Sequence, residues 1–313
     1  MSSIGSSAAV TGSAVRASLR GNRRDIRGML FLVVLLGSLF FSLAILFVLL
    51  ADVMSKALPV FAERGLGFLT APLSSDPAKA GVGQGLVGTA ILAGLVALVA
   101  FPFGLATAIY LEEYAADNRL TRFIQINVRN LAGVPSVVYG LLGLSVFVAV
   151  FNAFDGEDGN GRNIIAGGLT LATLVLPIVI ITSIEALRAV PDTIREAGYG
   201  VGASRWEVTR QLVLPSATSG VLTGTVLALS RALGETAPLI LAGAVLGSFS
   251  GMSLGTVFSG PYTALPVIVY DWSRRPQEAF RNDAAAAIVV LLVITLIANA
   301  IAIILRNRFE HSW

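Results

Sequence analysis

Residues 188–215 read RAVPDTIREAGYGVGASRWEVTRQLVLP and separate two long apolar segments of the chain. Pro191 is placed to begin a helix, because its missing N–H costs nothing in the first helical turn. Three glycines then predict the end of that helix: Gly198, Gly200 and Gly202. The stretch therefore begins as a short helix that closes on a glycine elbow.

A second short helix is predicted after the glycines. Ser204 and Glu207 have the spacing of a capping box, and Pro215 stands where the next apolar segment opens. Tyr199 and Trp206 are expected on the exposed face beside charged side chains. Such a projecting hairpin suits a groove on a partner protein.

This polar hairpin contrasts with the rest of the chain, which is strongly apolar. Of 313 residues, 55% are hydrophobic and only 13% are charged, and the mean hydropathy is +0.79. A soluble domain carries about 25% charged residues. The chain is therefore predicted to be all-α, a polytopic bundle of helices in a membrane.

Six segments have the length needed to span a bilayer at 1.5 Å per helical residue. The first is too long for the apolar part of a signal peptide and predicts a retained span. Prolines at 102, 135, 177 and 238 are expected inside spans, where neighbouring helices must satisfy the freed carbonyls. The six predicted spans cover residues 28–51, 85–111, 128–152, 163–187, 213–247 and 284–305.

The remaining segments are read as a tail and loops. Residues 1–27 are predicted to form a disordered or amphipathic tail. Residues 28–83 are predicted to form the first span and the loop that follows it. Residues 248–283 predict a loop with a short interfacial helix. Tyr262, Tyr270 and Trp272 are expected there at the membrane–water boundary.

Basic residues predict which side of the membrane each loop occupies, because cytoplasmic loops carry more arginine and lysine. The segments that share a side with the termini hold the larger set: Arg16, Arg20, Arg23, Arg24, Arg27, Arg119, Arg122, Arg188, Arg195, Arg205, Arg210, Arg306 and Arg308. The other side holds Lys56, Arg64, Lys79, Arg162, Arg274, Arg275 and Arg281. Both termini and the 188–215 loop are therefore predicted to be cytoplasmic.

Two charges interrupt the fifth predicted span. Arg231 and Glu235 stand four residues apart, which places them on one helix face where they can pair. A charge inside the bilayer is costly and should face a partner or a water-filled path. The pair predicts either an ion pair that holds the bundle together or a path for an anion, in which Arg231 donates to phosphate-like oxygens.

The 188–215 loop resembles the cytoplasmic coupling motif of bacterial ABC importer permeases. That motif has Glu-Ala-Ala, a glycine four residues later and an Ile-x-Leu-Pro ending, and the matching positions here are Glu196, Ala197, Gly198, Gly202, Ala203, Leu212, Leu214 and Pro215. Gly198 and Leu212 depart mildly from the pattern. The resemblance implies the type I importer fold and a loop that docks on an ATPase subunit. We call residues 188–215 the coupling loop.

Residues 231–238, RALGETAP, resemble the fifth-span signature of phosphate importer permeases of the PstA type. The resemblance covers roughly residues 84–310 and makes Arg231, Glu235 and Thr236 candidates for the substrate path. It implies a PstC-like permease partner, an ATPase homodimer that binds ATP and magnesium, and an external phosphate-binding protein at a bacterial cell membrane. PstA-type chains often carry an arginine in span four, where this chain has Ile180 and Ile181.

Several kinds of chemistry lack a motif. The chain has no cysteine, which excludes thiolate sites and disulfides, and no phosphate loop for ATP hydrolysis is present. No catalytic site, cofactor, metal site or nucleic-acid contact is predicted, and His311 is expected to be solvated. Glu112, Glu113 and Asp117 are expected in a solvated loop, or against the ATPase. A permease for another oxyanion such as sulfate or molybdate stays an alternative, as does a secondary transporter or channel.

Overall fold

A computed structural model describes residues 26–154, 160–245 and 260–309. Within these ranges every regular element is helical, as predicted. Among the described residues, six helical segments are long and apolar enough to cross a membrane. The expected tail, apart from its last two residues, the acidic loop at 155–159 and His311 lie outside the described residues.

The chain divides into two compact units at Asp52. In the first unit, helix α1 (Ile26–Arg64) begins, and the uncharged segment 28–51 gives it enough apolar length for a span. In the second unit the order is α2 (Gly67–Thr70), α3 (Gly83–Ile109), α4 (Arg119–Ala132), α5 (Ser136–Gly143), α6 (Ala149–Phe154), α7 (Ile164–Arg188), α8 (Asp192–Gly200), α9 (Arg205–Val208), α10 (Leu214–Gly234), α11 (Ala237–Leu241), α12 (Leu265–Arg274) and α13 (Glu278–Phe309).

Three π-helical turns extend these helices without a break. They cover Tyr110–Tyr114 after α3, Leu144–Val148 between α5 and α6, and Thr209–Val213 between α9 and α10. These helices therefore run on into longer spans, which cover Gly83–Tyr114, Ser136–Phe154 and Arg205–Gly234.

Helix α7 is the centre of the second unit, and most of its side chains are buried. Glycines let its neighbours approach closely. A Cβ atom added at Gly104 of α3 would lie 2.6 Å from Val179 Cγ1, and one at Gly224 of α10 would lie 2.1 Å from Thr182 Oγ1. Spans two and five are thus packed directly against span four.

The first span is longer than the sequence analysis predicts. The segment after Ala51 is expected as a loop, but α1 continues to Arg64. Polar residues end the apolar run at 52, yet Val53, Ala57 and Val60 still recur at helical spacing and pack in a core with Phe68. The prediction is wrong because it follows continuous hydrophobicity rather than helical periodicity.

The third span begins later than predicted. Instead of one helix from 128, α4 ends at Ala132 and α5 begins at Ser136. Pro135 has no N–H to donate and its ring disfavours a helical residue before it, so the expected mid-span proline lies at a break. Tyr139 Oη donates to Leu131 O across the break at 2.9 Å, in addition to the bond at 3.0 Å from Val134 N to the same carbonyl. The Tyr139 side chain therefore ties α5 to the end of α4.

The fifth span is predicted to run to 247 but ends at Gly234. Glu235 is extended, with φ −80° and ψ 126°, and Pro238 lies in the short helix α11. By contrast, Pro102 and Pro177 do lie inside helices, in α3 and α7. Proline at the start of α11 fits the break because the first helical turn needs no donor.

A short helix is expected within 248–283, and α12 (Leu265–Arg274) is that helix. Its aromatic residues are placed differently from the prediction, because Tyr262 and Trp272 are buried in the protein and only Tyr270 is exposed. Trp272 packs against Phe68 and Phe280, with ring centroids 6.2 Å and 6.0 Å away. These aromatic side chains join α12 to the bundle rather than to lipid.

Candidate functional site

The first half of the coupling loop has the predicted form. Helix α8 follows Pro191 and ends at Gly200, and Gly202 has φ +86°. Gly202 N donates to Tyr199 O at 2.9 Å and Ala203 N donates to Gly198 O at 3.1 Å. These bonds satisfy carbonyls at the end of α8 in the manner of a glycine C-cap. The glycine elbow is therefore fixed rather than loose.

The second half differs from the prediction in one respect. The capping box is present, and Ser204 N donates to Glu207 Oε2 at 2.7 Å. However, the helix that it begins does not end before Pro215. It passes through the π-helical turn at Thr209–Val213 into the fifth span. The coupling loop is thus rigidly continuous with the span that carries Arg231.

Two arginines join the coupling loop to the end of the second span. Arg195 Nη2 donates to Glu113 Oε1 at 2.8 Å and to Leu187 O at 2.9 Å. Arg188 Nε donates to Glu112 Oε1 at 2.9 Å. The Glu113 hydrogen bond also raises the pKa of Arg195, because it stabilises the charged guanidinium.

Glu112 and Glu113 therefore do not lie in the solvated loop that the sequence predicts for them. Both lie in the π-helical turn Tyr110–Tyr114, and the Glu113 side chain is only 5% exposed. Asp117 is exposed as predicted and pairs with Arg122 at 3.3 Å. The pairing of Arg195 with Glu113 is not predicted from the sequence, because the two residues are 82 positions apart.

The other residues of the coupling motif divide into packed and exposed positions. Gly198 is buried, and a Cβ atom there would lie 2.8 Å from both Leu212 Cδ1 and Val208 Cγ2. Leu214 is half-buried, while Glu196, Ala197 and Pro215 are exposed. Large apolar side chains are exposed beside them, namely Tyr199, Val201 and Trp206.

The charged pair predicted for the fifth span is formed. Arg231 Nε donates to Glu235 Oε1 at 3.3 Å, and the side chains are 45% and 18% exposed. Glu235 lies just beyond the last helical residue, Gly234, so the pair closes the helix end instead of lying along one helix face. Arg231 shares an exposed face of α10 with Thr223 and Leu227, at successive positions four residues apart.

The remaining candidates near this pair have other contacts. Thr236 Oγ1 donates to Pro266 O at 3.4 Å, which ties the break after α10 to α12. Ile180 is 5% exposed in the core cluster between α3, α7 and α10, and Ile181 is half-buried. Neither position carries a charge, so the anion path has no cation from this middle part of span four.

Comparison with known proteins finds relatives over most of the chain. The chain is 36% identical over 225 residues to "Phosphate transport system permease protein PstA 1" of Mycobacterium tuberculosis, which covers 72% of this chain and 70% of that protein. It is 29% identical over 293 residues to "Phosphate transport system permease protein PstA" of Yersinia pestis, with coverage of 93% and 92%.

A solved structure shows the same fold. The crystal structure of a bacterial ABC transporter involved in the import of the acidic polysaccharide alginate matches with a TM-score of 0.61 at 16% identity, over 91% of this chain and 97% of that one. The chain therefore has the fold of ABC importer permeases. The family model for the binding-protein-dependent transport system inner membrane component matches residues 100–312, and this chain belongs to that family.

Proposed function

We propose that this chain is a transmembrane permease subunit of an ATP-driven importer of inorganic phosphate. The observation that carries the proposal is the coupling loop, a capped and salt-bridged hairpin that continues directly into the span bearing Arg231. Movement of such a hairpin by a partner must also move the charged pair in the membrane. The relatives named as phosphate permeases support phosphate as the anion.

The coupling loop would dock on an ATPase homodimer, which would bind ATP and magnesium and carry out the hydrolysis. Tyr199, Val201 and Trp206 provide exposed apolar area, with Glu196 beside them. Aromatic side chains at the centre of an interface are common anchors of binding energy. The loop is therefore proposed to be cytoplasmic, with both termini on the same side.

The exposed face of α10 would line the anion path against a PstC-like permease. Arg231 has an exposed guanidinium that can donate to phosphate oxygens, and Glu235 keeps it oriented when no anion is bound. An external phosphate-binding protein would deliver the anion. Thr236 and its bond to α12 hold the break beside the pair.

Reconstitution of the chain with its partner subunits in proteoliposomes tests the proposal. We expect ATP-dependent phosphate uptake that arsenate inhibits, because its charge and size are close to those of phosphate, and that equimolar sulfate leaves unchanged. Co-purification with an ATPase is the accompanying binding test. Uptake of sulfate or molybdate but not of phosphate would identify another oxyanion as the substrate. Phosphate uptake without an ATPase would contradict the coupling role of the loop.

A further inference from the structure

A line of polar contacts connects the fifth and sixth spans below Arg231. Ser230, the residue before Arg231, donates to Asn299 of α13. Two turns before Ser230 in α10, Thr223 Oγ1 accepts a hydrogen bond from Arg306 Nη1 at 3.4 Å. We call these four residues the polar seam. Of the two contacts, Ser230–Asn299 is part-buried between the spans, whereas Thr223–Arg306 is exposed at the surface of α10.

The lower end of the polar seam lies on the same face of α10 as Arg231. Thr223 and Arg231 are eight residues apart with Leu227 between them, and all three are exposed. At 1.5 Å per residue, Thr223 is about 12 Å along the helix axis from Arg231. An anion that leaves Arg231 along this face would therefore next meet Arg306.

Arg306 differs from Arg231 in what holds its charge. Its Nε and Nη2 donate to Asn307 Oδ1 at 3.2 Å and 3.1 Å, and within the described part of the chain it forms no ion pair with a carboxylate. A neutral amide competes for a guanidinium less strongly than a carboxylate does. Among the described residues, Arg306 is thus oriented by neutral groups, which compete with a bound anion less than a carboxylate would.

We propose that Arg306, Thr223 and Asn307 form a second binding site for a phosphate-type oxyanion, beyond Arg231 on the same face. The transport role of this site rests on the proposed function. The guanidinium would donate to two oxygens of the anion and displace Asn307. The Thr223 hydroxyl donates its single proton to Ser219 O at 2.8 Å and would rotate away from that carbonyl to donate to a third oxygen.

A lipid phosphate has the same chemistry as free phosphate, so the test separates the two sources. The cysteine-free chain allows Leu227→Cys to report on this face, with Ile304→Cys on the opposite side of α13 as the control. In the reconstituted complex, we expect a sulfonate-bearing thiol reagent to label Leu227→Cys several-fold faster than an ammonium-bearing one, because a guanidinium attracts the anion. Arg306→Gln should remove that preference.

Inorganic phosphate should slow the labelling in phosphatidylcholine vesicles if the free anion binds. If a headgroup binds instead, phosphatidylglycerol should slow it and inorganic phosphate should not. Either result supports the oxyanion site and identifies its source. Equal labelling by both reagents with Arg306 present, or an unchanged preference in Arg306→Gln, would overturn the site.

Uptake measurements give a second, independent result. We expect Arg306→Gln to reduce phosphate uptake roughly tenfold and Arg306→Lys to reduce it less, since lysine keeps the charge but not the fork of donors. Arg308→Gln, an exposed arginine two residues away, should stay within about twofold because its charge is screened by water. A wild-type complex that takes up no phosphate would contradict the proposed function, while the labelling preference would still decide the site.

Discussion

Leu212 occupies the space that a side chain at Gly198 would need, since a Cβ atom at 198 would lie 2.8 Å from Leu212 Cδ1. The coupling motif that this loop resembles has alanine and isoleucine at these two positions. The two departures from that pattern are therefore in contact. This contact indicates that they compensate for each other, with the smaller residue on α8 matched to the side chain that reaches across from the π-helical turn.

The first prediction tests this compensation. We expect Gly198→Ala to lower the stability of the purified complex by about 1 kcal/mol, because the gain in helix propensity is smaller than the cost of overpacking. Adding Leu212→Ile should restore part of the loss, because Val208 Cγ2 also lies 2.8 Å from the added Cβ atom and stays in place. Gly200→Ala is the matched control, since a Cβ atom added at Gly200 would have no neighbour within 4 Å. Thermal unfolding measures all three, and strictly additive effects would show that the two sites are independent.

The glycine elbow gives the second prediction. Gly202 has φ +86° with open space around it, so a substitution there is strained by the backbone and does not clash. We expect Gly202→Val to cost about 1–2 kcal/mol or more and to uncouple ATP hydrolysis from uptake, whereas Gly202→Asn should retain part of the coupling. Equal uptake by the two variants would exclude backbone strain as the cause.

The third prediction concerns the buried ion pair of the coupling loop. Arg195→Gln leaves the Glu113 carboxylate buried without its cation, which should cost on the order of 3 kcal/mol. Asp192 pairs with the same arginine at 3.2 Å but is 89% exposed, so Asp192→Asn should cost less than about 1 kcal/mol. Unfolding of the complex followed by circular dichroism compares them. A similar loss in both variants would mean that burial does not set the strength of this pair.

The charged pair in the membrane gives the fourth prediction. Arg231→Gln should abolish phosphate uptake by removing the charge, and Glu235→Gln should slow release by leaving an unpaired cation. The double variant should remain inactive if Arg231 binds the anion. Arg129→Gln with Glu185→Gln, an exposed pair at 3.7 Å, is the control and should transport normally. Full uptake by the Arg231 and Glu235 double variant would reduce this pair to a structural role.

The fifth prediction addresses the orientation of the chain. Single cysteines placed at Ser204 and Lys79 should react with a membrane-impermeant reagent from opposite sides of the membrane, with Ser204 accessible from the cytoplasm. Both positions are exposed, so accessibility depends on sidedness rather than on burial. Labelling of both from the same side would contradict the proposed topology.

The sequence predicts the parts of this fold that depend on neighbouring residues. Each of the six spans begins or ends near the boundary of an apolar run, and the capping box at Ser204 is a pattern of four consecutive residues. The breaks after Ala132 and Gly234 are less visible, since apolar residues continue on both sides of each break. Hydropathy averages over such breaks, whereas proline and glycine geometry decides them.

The contacts of the candidate site can be predicted only where the partners are close in the chain. Arg231 and Glu235 are four residues apart and are predicted as a pair. Glu113 contacts Arg195, and Thr223 contacts Arg306, only after the spans have packed, because the partners are 82 and 83 positions apart in the chain. From the sequence alone, a charged residue at the end of a span is predicted to be solvated, because its counterion lies far away in the chain.

The π-helical turn at Thr209–Val213 holds one residue more than an α-helical path through the same turn would need. Because each residue of a π-helical turn rotates less about the axis than an α-helical residue, the turn absorbs the extra residue and the coupling loop and the fifth span keep their relative phase. Deleting one residue within the turn would therefore let it relax to α-helix with Arg231 still on its present face. Deleting one residue in the α-helical stretch after Leu214 would instead rotate Arg231 by about 100° about the helix axis. The turn thus marks the one place in this span where a change of length leaves the position of the charge unaltered.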